Sequence, residues 1–534
     1  MSPPPPSRAS RLASVIVPVA AFLYFLLRYR SPAYCAAGLV LLGVFFILFR
    51  AREKSAQRPF GILALIVLGT ALPGLGIWQY LQMRDIGDLD HATYATALWN
   101  FRHGFLHYDF RETNILGVHS QYTAFFWIPI QYLFGETGLK AGKGLCLLAA
   151  VFLVLRRFKE DRGPAAWAGA AILLSPPIAS QFFFGFHPEF IAAPVLVLAL
   201  EAYRGEKLGR FLACTAFLAF SKEVFTLAVG GLLLVALIER RPWKWLVLPG
   251  ALCCLQMAVY WFVVLPRFAP AGNGLGHYMP VSAAQILSMW MRPQTFFYAF
   301  HVFLPFLPLM LAFPKRYLLL PVPLMLFYAA FPDPLFTVLW PNYAFPLVFL
   351  CTGGLVLCKQ LRIVAGPIRA GDNGLRGDHG PPSAEERPSE AGGSAGSETI
   401  TLEGRMLAAC AVASLLCYPL WREIFSVPAG NPARAREVDR IRSLIPEGAS
   451  LVVNAPFTAR LAARKEVSIW GWRSKPLDHF EYAMVDAGFK PYWLVDEKDL
   501  ARGLDSLAVS PEWIREYAQD DLFLFRHKRA AGLP

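Results

Sequence analysis

The sequence Asp85-Ile-Gly-Asp88-Leu-Asp90-His91 follows directly after an apolar run from Phe60 to Tyr80, and the polar stretch continues through Trp99-Asn100 and His103-Gly104. The apolar run is long enough to cross a bilayer as a helix, which takes about 20 residues. Ionisable groups close to hydrocarbon are costly, so several of them at the end of a membrane span indicate a functional site. We interpret residues 81–138 as an active-site loop at one face of a membrane.

Apolar runs of this kind recur along almost the whole chain of 534 residues, which is 55% hydrophobic, 14% aromatic and 17% charged. This composition predicts a polytopic α-helical membrane protein with about thirteen transmembrane helices, at about 20 residues for each span. The first run, Leu12 to Leu27, is followed by Arg28 and Arg30 without a small-residue cleavage site, so we expect a retained helix and no signal peptide. The predicted spans begin near Leu12, Ala33, Phe60, Leu139, Pro164, Glu189, Leu208, Val224, Trp243, Gln294, Arg316, Tyr343 and Gly404.

The formal net charge is +13, and the Lys and Arg residues stand mostly in short clusters between apolar runs. Cytoplasmic loops of membrane proteins have this excess of basic residues, so no nucleic-acid partner is needed to explain the charge. All clusters can be cytoplasmic together, with a cytoplasmic N-terminus and a multi-pass protein in the cell (inner) membrane, under two conditions. The segment Tyr122 to Phe134 must lie along the outer surface, and the region Leu208 to Ile238 must form two short spans that meet at Ser221-Lys222-Glu223.

This topology places the remaining polar motifs on the outer, extracytoplasmic face. An enzyme on that face would use a lipid-linked donor, because the sequence contains no Gly-rich phosphate loop for a cytoplasmic nucleotide. The nine cysteines lie in or at the ends of apolar segments and form neither a metal-ligand spacing nor a disulfide scaffold. The outer motifs are residues 85–119, Phe186-His187-Pro188-Glu189, Ser221-Lys222-Glu223, the loop 266–292, Pro332-Asp333 and Asn342-Tyr343.

The chain divides into five parts by composition. Residues 1–59 are an N-terminal two-helix membrane segment, 60–365 a transmembrane core, and 403–421 the last transmembrane helix. The segment 366–402 is rich in Gly, Pro, Ser and Glu, which predicts a disordered cytoplasmic linker. Residues 432–534 alternate helix-like and strand-like segments and predict a small soluble α/β domain outside the membrane. Its helix is expected at Glu437 to Leu444, and its strands at Leu451 to Val453, Val467 to Trp470, Tyr482 to Val485, Tyr492 to Val495 and Leu522 to Phe525.

The segment from Asp90 to Asn100, with His103-Gly104 and then His119, resembles the opening motif of a family of predicted membrane proteins, domain of unknown function 2079. Phe186-His187-Pro188-Glu189 and Lys222-Glu223 also resemble motifs of that family, in the same order. The resemblance covers about Phe60 to Cys358.

This family is in turn similar to the GT-C glycosyltransferases, integral membrane enzymes that use polyprenyl-phosphate sugars and carry an essential Asp in the first outer loop. The resemblance implies a GT-C-like fold for residues 60–365, with Asp90 as the catalytic carboxylate. It also implies transfer of a sugar from a polyprenyl-phosphate donor to a cell-envelope acceptor on the extracytoplasmic face. Kinship of fold does not assign a function by itself.

The chemistry of such a transfer suggests a role for each candidate residue. A carboxylate suits the base that takes the acceptor proton, with Asp90 the first candidate and Asp88 the second. A cation aimed at the departing lipid phosphate lowers the barrier. Lys222 is the first candidate for that role, and Arg267 and Arg292 are weaker ones. His187 with Glu189, and His119, could bind a divalent metal or the diphosphate, although one His-x-Glu is not a metal motif. Asn100, His277 and Tyr278 complete the candidate substrate-binding set.

Each candidate also has a structural interpretation. Asp88 and Asp90 could cap a juxtamembrane helix, and His187-Pro188-Glu189 could be a polar helix start. Two other functions stay open. A transporter or lipid flippase would place ionisable groups at the bilayer midplane in broken helices, and a non-catalytic envelope assembly protein would tolerate Asp90→Asn and Lys222→Gln.

Overall fold

The computed structural model describes residues 16, 19–20, 54–81, 88–104, 114–156, 162–269, 282–330, 345–357, 406–414, 432–453, 457–470, 475–488 and 497–532. Almost all of the two predicted N-terminal spans, the linker 366–402 and the predicted strand Tyr492 to Val495 lie outside these residues.

The described residues before 432 are mostly helical, as the composition predicts. Short 3-10 turns at Tyr122–Trp127 and Pro188–Ile191 introduce the two helices that border the polar motifs. The helices are α1 (Lys54–Leu81), α2 (Asp88–Arg102), α3 (Ile115–Val118), α4 (Ile128–Leu155), α5 (Arg162–Leu174), α6 (Pro176–Phe183), α7 (Ala192–Arg204), α8 (Leu208–Ser221), α9 (Val224–Ile238), α10 (Lys244–Val259), α11 (Leu265–Phe268), α12 (Ala283–Trp290), α13 (Pro293–Phe303), α14 (Leu307–Ala312), α15 (Val322–Ala329), α16 (Phe345–Cys351) and α17 (Gly353–Leu357).

Two segments of the described chain are long and apolar enough to cross a membrane, Tyr122–Leu155 and Lys244–Phe268. The pair α5 and α6 passes the same test together but is bent by 64° at its break, which would make a third span. Most other apolar helices are too short to cross alone at 1.5 Å per residue. The structure therefore confirms a helical membrane protein, and the count of about thirteen spans is not confirmed.

The predicted break inside Leu208 to Ile238 is confirmed. Helix α8 ends at Ser221, Lys222 adopts an extended conformation (φ −172°, ψ 149°), and α9 begins at Val224. Short connections, residues 205–207 and 222–223, join α7 to α8 and α8 to α9, and consecutive helices pack against each other, so α8 runs antiparallel to α7 and α9. Residues just before α7 and residues between α8 and α9 therefore lie at the same end of the bundle.

The segment Tyr122 to Phe134 is separated from the rest of α4 by a kink at Gly135. The Gly135 backbone has φ 61° and ψ −158°, the only non-helical conformation inside α4, and that conformation is accessible almost only to glycine. That this segment lies along the outer surface stays a prediction.

Buried aromatic and aliphatic side chains join most of the helices in one large cluster, and α2 and Trp127 belong to a second, smaller one. Phe190, at the entry to α7, packs at a tilt against Phe345 of α16 with ring centroids 4.8 Å apart. Midway along α9 the backbone at Leu320 comes so close that a Cβ on Gly231 would lie 2.0 Å from the Leu320 carbonyl oxygen. The Phe190 contact lies next to His187 and Glu189 and so packs the bundle end that carries the polar motifs.

Residues 432–532 contain a five-stranded mixed sheet, which confirms the predicted α/β domain. The strand order is β2-β1-β3-β5-β4; β1 is parallel to β2 and β3, and β5 is antiparallel to β3 and β4. The sequence analysis missed β4, which is mostly exposed and has little apolar pattern, and the last helix, although its residues follow an amphipathic helical pattern. The elements are α18 (Pro432–Leu444), β1 (Leu451–Val453), α19 (Thr458–Leu461), β2 (Val467–Ile469), β3 (Tyr482–Asp486), α20 (Glu497–Val509), β4 (Trp513–Gln519) and β5 (Leu522–His527).

Candidate functional site

The first turn of α2 carries Asp90 into a cluster of polar side chains from three separate parts of the sequence. Its Oδ2 lies 3.4 Å from Nε2 of His187, and the Asp90 side chain is 19% exposed, whereas that of His187 is 4% exposed. Asp90 is thus the member of this pair that reaches solvent. The side chain of Asp88, the second carboxylate candidate, lies outside the described part of the chain.

His187 is held at the start of the turn that leads into α7. Its backbone is extended (φ −136°, ψ 134°), and Pro188 then begins the 3-10 turn. The Trp127 indole Nε1 donates to the Pro188 carbonyl at 2.9 Å, and the imidazole packs edge-on against the Tyr94 ring with centroids 5.0 Å apart. The predicted polar helix start is therefore present, and it also presents His187 to Asp90.

Glu189 lies at the centre of the cluster. Lys222 Nζ donates to Glu189 Oε1 at 2.7 Å, Gln121 Nε2 donates to Oε2 at 2.9 Å, and His187 Nδ1 lies 3.5 Å from Oε1. The side chains of Glu189 and Lys222 are each only 1% exposed. Asp90, Lys222 and the pair His187 and Glu189, which the sequence analysis proposed separately, therefore form one connected group with Gln121. We call these five residues the Glu189 cluster.

Glu223, the neighbour of Lys222 at the helix break, binds a second set of partners, His119 and Ser120. His119 Nδ1 lies 2.6 Å from Glu223 Oε1, and the Ser120 backbone N–H donates to Oε2 at 3.1 Å. Because Lys222 and Glu223 bind different partners, the break between α8 and α9 ties residues 119–121 to the turn at Glu189. The sequence analysis named His119 and noted Glu223, but it gave no reason to pair them.

The pKa values in this region follow from burial and from the ion pairs. Burial alone would raise the pKa of the Glu189 carboxyl, but Lys222 and His187 outweigh burial and hold it well below its usual range. Burial is likewise outweighed at Glu223, where His119 and Lys222 lower the pKa to about 2. Burial would lower the pKa of His187, yet Glu189 and Asp90 together raise it. Glu189 and Glu223 are therefore carboxylates at neutral pH, and His187 keeps its proton to a higher pH than a free imidazole does.

Two lysines inside α4 bind the backbone just before His187, at the start of the turn that leads into α7. Lys140 Nζ donates to the Phe184 carbonyl at 2.6 Å, and Lys143 Nζ donates to the carbonyls of Phe184 at 2.6 Å and Gly185 at 3.0 Å. Both side chains are buried. The sequence analysis missed them, although an ionisable residue within an apolar span is itself a reason to expect a function.

The second half of α2 contacts a different partner. The Asn100 side-chain amide donates to the Lys465 carbonyl at 3.1 Å, and Thr96 Oγ1 donates to the Ala462 carbonyl at 2.9 Å. Asn100 is fully buried, and its amide contacts the C-terminal domain. Ten residues of helix place it about 15 Å along α2 from Asp90, so it lies apart from the Glu189 cluster, and its role as a substrate ligand stays a prediction.

The other candidates are not brought into the Glu189 cluster by the described contacts. Arg292 lies at the turn between α12 and α13, where its carbonyl accepts from the Thr295 N–H. His277 and Tyr278 lie outside the described residues. Among the residues that the structure describes, no three His, Cys, Asp or Glu side chains are grouped so that they could hold a metal ion.

Comparison with known proteins gives one family match that covers about half of the chain. The profile of the family described as predicted membrane protein (DUF2079) matches residues 82–362. These residues contain every member of the Glu189 cluster and both of its neighbours His119 and Glu223. The resemblance proposed from the sequence motifs is thus confirmed.

Two curated relatives share short segments with the chain. The imidazoleglycerol-phosphate dehydratases of Pyrobaculum arsenaticum and Pyrobaculum calidifontis are each 31% identical to it, over 96 and 77 residues. The segments are 17% and 14% of this chain and 52% and 41% of the dehydratases, so the chain spans about half the length of the curated relatives it matches. Matches of this extent assign no activity to the chain.

Two solved structures of ArnT from Cupriavidus metallidurans align with most of the chain. One is bound to undecaprenyl phosphate and covers 86% of this chain and 97% of its own, at 14% identity; the other is in the apo state and covers 88% and 99%, at 15% identity. Both alignments have a TM-score of 0.48, which is too low to assign the fold.

Proposed function

The chain belongs to the DUF2079 family of predicted membrane proteins, and from the Glu189 cluster we propose that it is a GT-C-type membrane glycosyltransferase. The proposed reaction transfers a sugar from a polyprenyl-phosphate donor to a hydroxyl of a cell-envelope acceptor. The proposed topology is the one the basic clusters predict, with about thirteen spans in the cell (inner) membrane and the cluster and C-terminal domain on the extracytoplasmic face.

The observation that carries the proposal is the position of Asp90 at the exposed end of a buried chain of charges. The chain runs from Asp90 to His187, Glu189 and Lys222 over distances of 3.4, 3.5 and 2.7 Å. An exposed reactive group oriented by a second group, which is in turn held by a third, is the arrangement that activates many catalytic side chains. An ion pair that only stabilises the fold could be wholly buried, whereas Asp90 is partly exposed and can be reached by a substrate.

In the proposed reaction the acceptor hydroxyl attacks the anomeric carbon of the donor sugar, and its proton passes to the Asp90 carboxylate. The bond between the anomeric carbon and the phosphate oxygen breaks, and the polyprenyl phosphate leaves with the electron pair. General base catalysis of this kind contributes about 10²- to 10⁴-fold to a rate. His187 keeps the Asp90 carboxylate in place, since its second nitrogen faces Glu189.

We assign Lys222 a positioning role. Its side chain is 1% exposed and its ammonium is bound to Glu189, so it cannot contact a lipid phosphate without taking the main cation away from that buried carboxylate. Lys222 therefore neutralises Glu189, and Glu189 orients His187. The predicted cation for the leaving phosphate has to come from elsewhere in the chain, and Arg267 and Arg292 stay candidates.

A transporter or lipid flippase is the second candidate, and one feature favours it. Helices α5 and α6 form a pair bent by 64°, and Lys140 and Lys143 bind the carbonyls that follow α6. Broken helices with nearby ionisable groups are typical of transporter binding sites. A non-catalytic assembly protein remains the third reading.

The test measures release of polyprenyl phosphate from a panel of lipid-linked sugars, with cell-envelope acceptors present. Purified wild type is compared with Asp90→Asn and with Asp478→Asn, which changes an exposed carboxylate of the C-terminal domain. We expect release from wild type and Asp478→Asn and its loss from folded Asp90→Asn. Equal release from all three proteins, or transbilayer movement of the lipid without release, contradicts the proposal.

A further inference from the structure

The C-terminal domain contacts α2, the helix whose first turn carries Asp90. Thr96 Oγ1 donates to the Ala462 carbonyl, which follows α19, at 2.9 Å. The Asn100 side-chain amide, one helical turn further along the same face of α2, donates to the Lys465 carbonyl at 3.1 Å. Thr96 and Asn100 are both buried, so the domain holds one face of α2 at two points that solvent does not reach.

Apolar packing joins the same two parts of the chain. Ala462 and Ile469 of the domain belong to one buried apolar cluster with α2 residues that include Ala92, Ala95 and Leu98. The junction between α2 and the domain is therefore closed by apolar contacts as well as by hydrogen bonds.

The short helix α19 also reaches the end of α1. Arg460, which lies in α19, donates from Nη1 to the Leu81 carbonyl at 2.9 Å. Leu81 is the last residue of α1, and α2 begins at Asp88. The domain therefore contacts both helices that flank the connection leading to Asp90.

Two further contacts hold α2 from the side of the helical bundle. Gln131 Nε2 of α4 donates to the Ala95 carbonyl at 2.7 Å, and the Tyr94 ring lies edge-on to His187. Asp90 lies six residues, about 9 Å of helix, from the nearer hydrogen bond to the domain. Because a helix moves as one rigid rod, the position of the Asp90 carboxylate depends on how firmly the axis of α2 is held.

We propose that the C-terminal domain positions Asp90 against His187 by holding α2, with Thr96 and Arg460 as positioning residues. The inference deepens the proposed function and rests on it, because Asp90 is the base of the proposed transfer. A displacement of about 1 Å at a reacting group can cost about 10²-fold in rate. The hold on α2 therefore matters for turnover, although neither positioning residue contacts the substrate. A domain that acted as a lid would instead have to leave α2 when the substrate enters.

The first test measures the pKa of His187 by NMR on full-length protein labelled at histidine. Asp90 and Glu189 raise this pKa, so it reports whether the Asp90 carboxylate stays in contact. We expect Thr96→Val and Arg460→Met to lower the pKa of His187 toward its value in Asp90→Asn. Thr96→Ser, which keeps the hydroxyl, should have the wild-type value.

Turnover on the same preparations separates this inference from the proposed reaction. Thr96→Val should lower kcat for release of polyprenyl phosphate by about tenfold or more. KM for the lipid donor should be unchanged, because the effect of a misplaced base is felt only in the transition state. A lowered pKa of His187 with a wild-type kcat would contradict Asp90 as the base and leave the positioning role in place. The pKa readout needs no turnover, so it decides the positioning role even if wild type releases no polyprenyl phosphate.

Two substitutions of the same kind are the matched controls. Thr352→Val removes a buried hydroxyl that donates to the Val348 carbonyl of the preceding turn at 2.8 Å. Arg515→Met changes an exposed Arg of β4. Both controls should keep the wild-type pKa of His187 and the wild-type kcat.

Either of two outcomes overturns the inference. An unchanged pKa of His187 in folded Thr96→Val and Arg460→Met would show that Asp90 keeps its place without the contacts to the domain. A higher kcat in these two variants would show that the domain is a lid that opens more readily when its contacts are weakened.

Discussion

The antiparallel helices α7, α8 and α9 carry an ionic network at each end, and the two networks differ in burial. At one end Lys222 and Glu189 are each 1% exposed. At the other end Glu239 binds Arg316 at 2.7 Å and accepts from the Tyr203 hydroxyl at 2.8 Å, but Arg316 is 41% exposed. Both networks lie at helix ends, and both contain an ion pair with an N–O distance of 2.7 Å, so distance alone does not distinguish them.

The difference in burial separates a functional candidate from an ordinary helix-end contact. An exposed ion pair contributes about 0–1 kcal/mol and costs little to make. A buried pair is often no more stable than an apolar replacement of the same volume, whereas loss of one partner costs about 3–5 kcal/mol. The Glu189 cluster thus keeps charges where apolar side chains would serve stability as well, which supports a role beyond stability.

The largest effect is expected from breaking the buried pair. Lys222→Met leaves the Glu189 carboxylate buried without its main cation and should lower the free energy of unfolding by about 3–5 kcal/mol. Adding Glu189→Gln to Lys222→Met removes the stranded charge and should restore most of that stability. Thermal unfolding of the single and double variants measures both effects. A loss as small as that of an exposed pair would show that Glu189 is neutral or solvated.

The free energy of unfolding should also depend on pH through the buried ionisable groups. The pKa of Glu223 is about 2 in the folded protein against 4.5 normally, and that of Glu189 is also lowered. Lowered carboxyl pKa values contribute stability above pH 4.5 that is lost as the pH falls toward 2. The raised pKa of His187 contributes stability below pH 6.5 that is lost as the pH rises through its folded value.

Melting temperatures from pH 3 to 9 test these signs. His187→Gln should remove the alkaline loss and leave the part of the acid loss that Glu223 causes. An acid loss that survives at full size in His119→Gln/Glu223→Gln would assign it to carboxylates other than Glu223.

A smaller loss of stability is expected when one of the two α4 lysines, Lys140 and Lys143, is removed from the turn that leads into α7. Lys143→Met leaves the Gly185 carbonyl without its donor, while Lys140 still binds Phe184. The expected loss of stability is about 1–3 kcal/mol, the cost of one unsatisfied buried group, with slower turnover because the turn carries His187. Stability and release of polyprenyl phosphate are measured on the same preparation, and an unchanged rate would mean that the turn holds its shape without Lys143.

The smallest effect is expected at the exposed network. Arg316→Met should change the free energy of unfolding by less than about 1 kcal/mol and leave turnover unchanged, since Glu239 keeps Tyr203 and Arg241 as partners. A loss comparable with that of Lys222→Met would remove the distinction between the two networks.

The sequence predicted the parts of this arrangement that depend on local pattern. The break at Lys222 followed from two basic clusters that had to share one side, and the strands β1, β2 and β3 followed from short apolar runs. The partner of Lys222 could not be predicted, because Glu189 is 33 residues away and only the antiparallel packing of α7 and α8 brings them together. The contact of Asn100 with Lys465 could not be predicted for the same reason, since the two residues are 365 positions apart.

The central claim is that Asp90 acts as the base at the exposed end of the Glu189 cluster. The most direct test is the turnover rate for release of polyprenyl phosphate from the active lipid-linked sugar by Asp90→Asn, Arg316→Met and wild type at matched folded fractions. The account predicts a loss of about 10²-fold or more for Asp90→Asn and a rate equal to wild type for Arg316→Met. A folded Asp90→Asn protein that releases polyprenyl phosphate at the wild-type rate would contradict it.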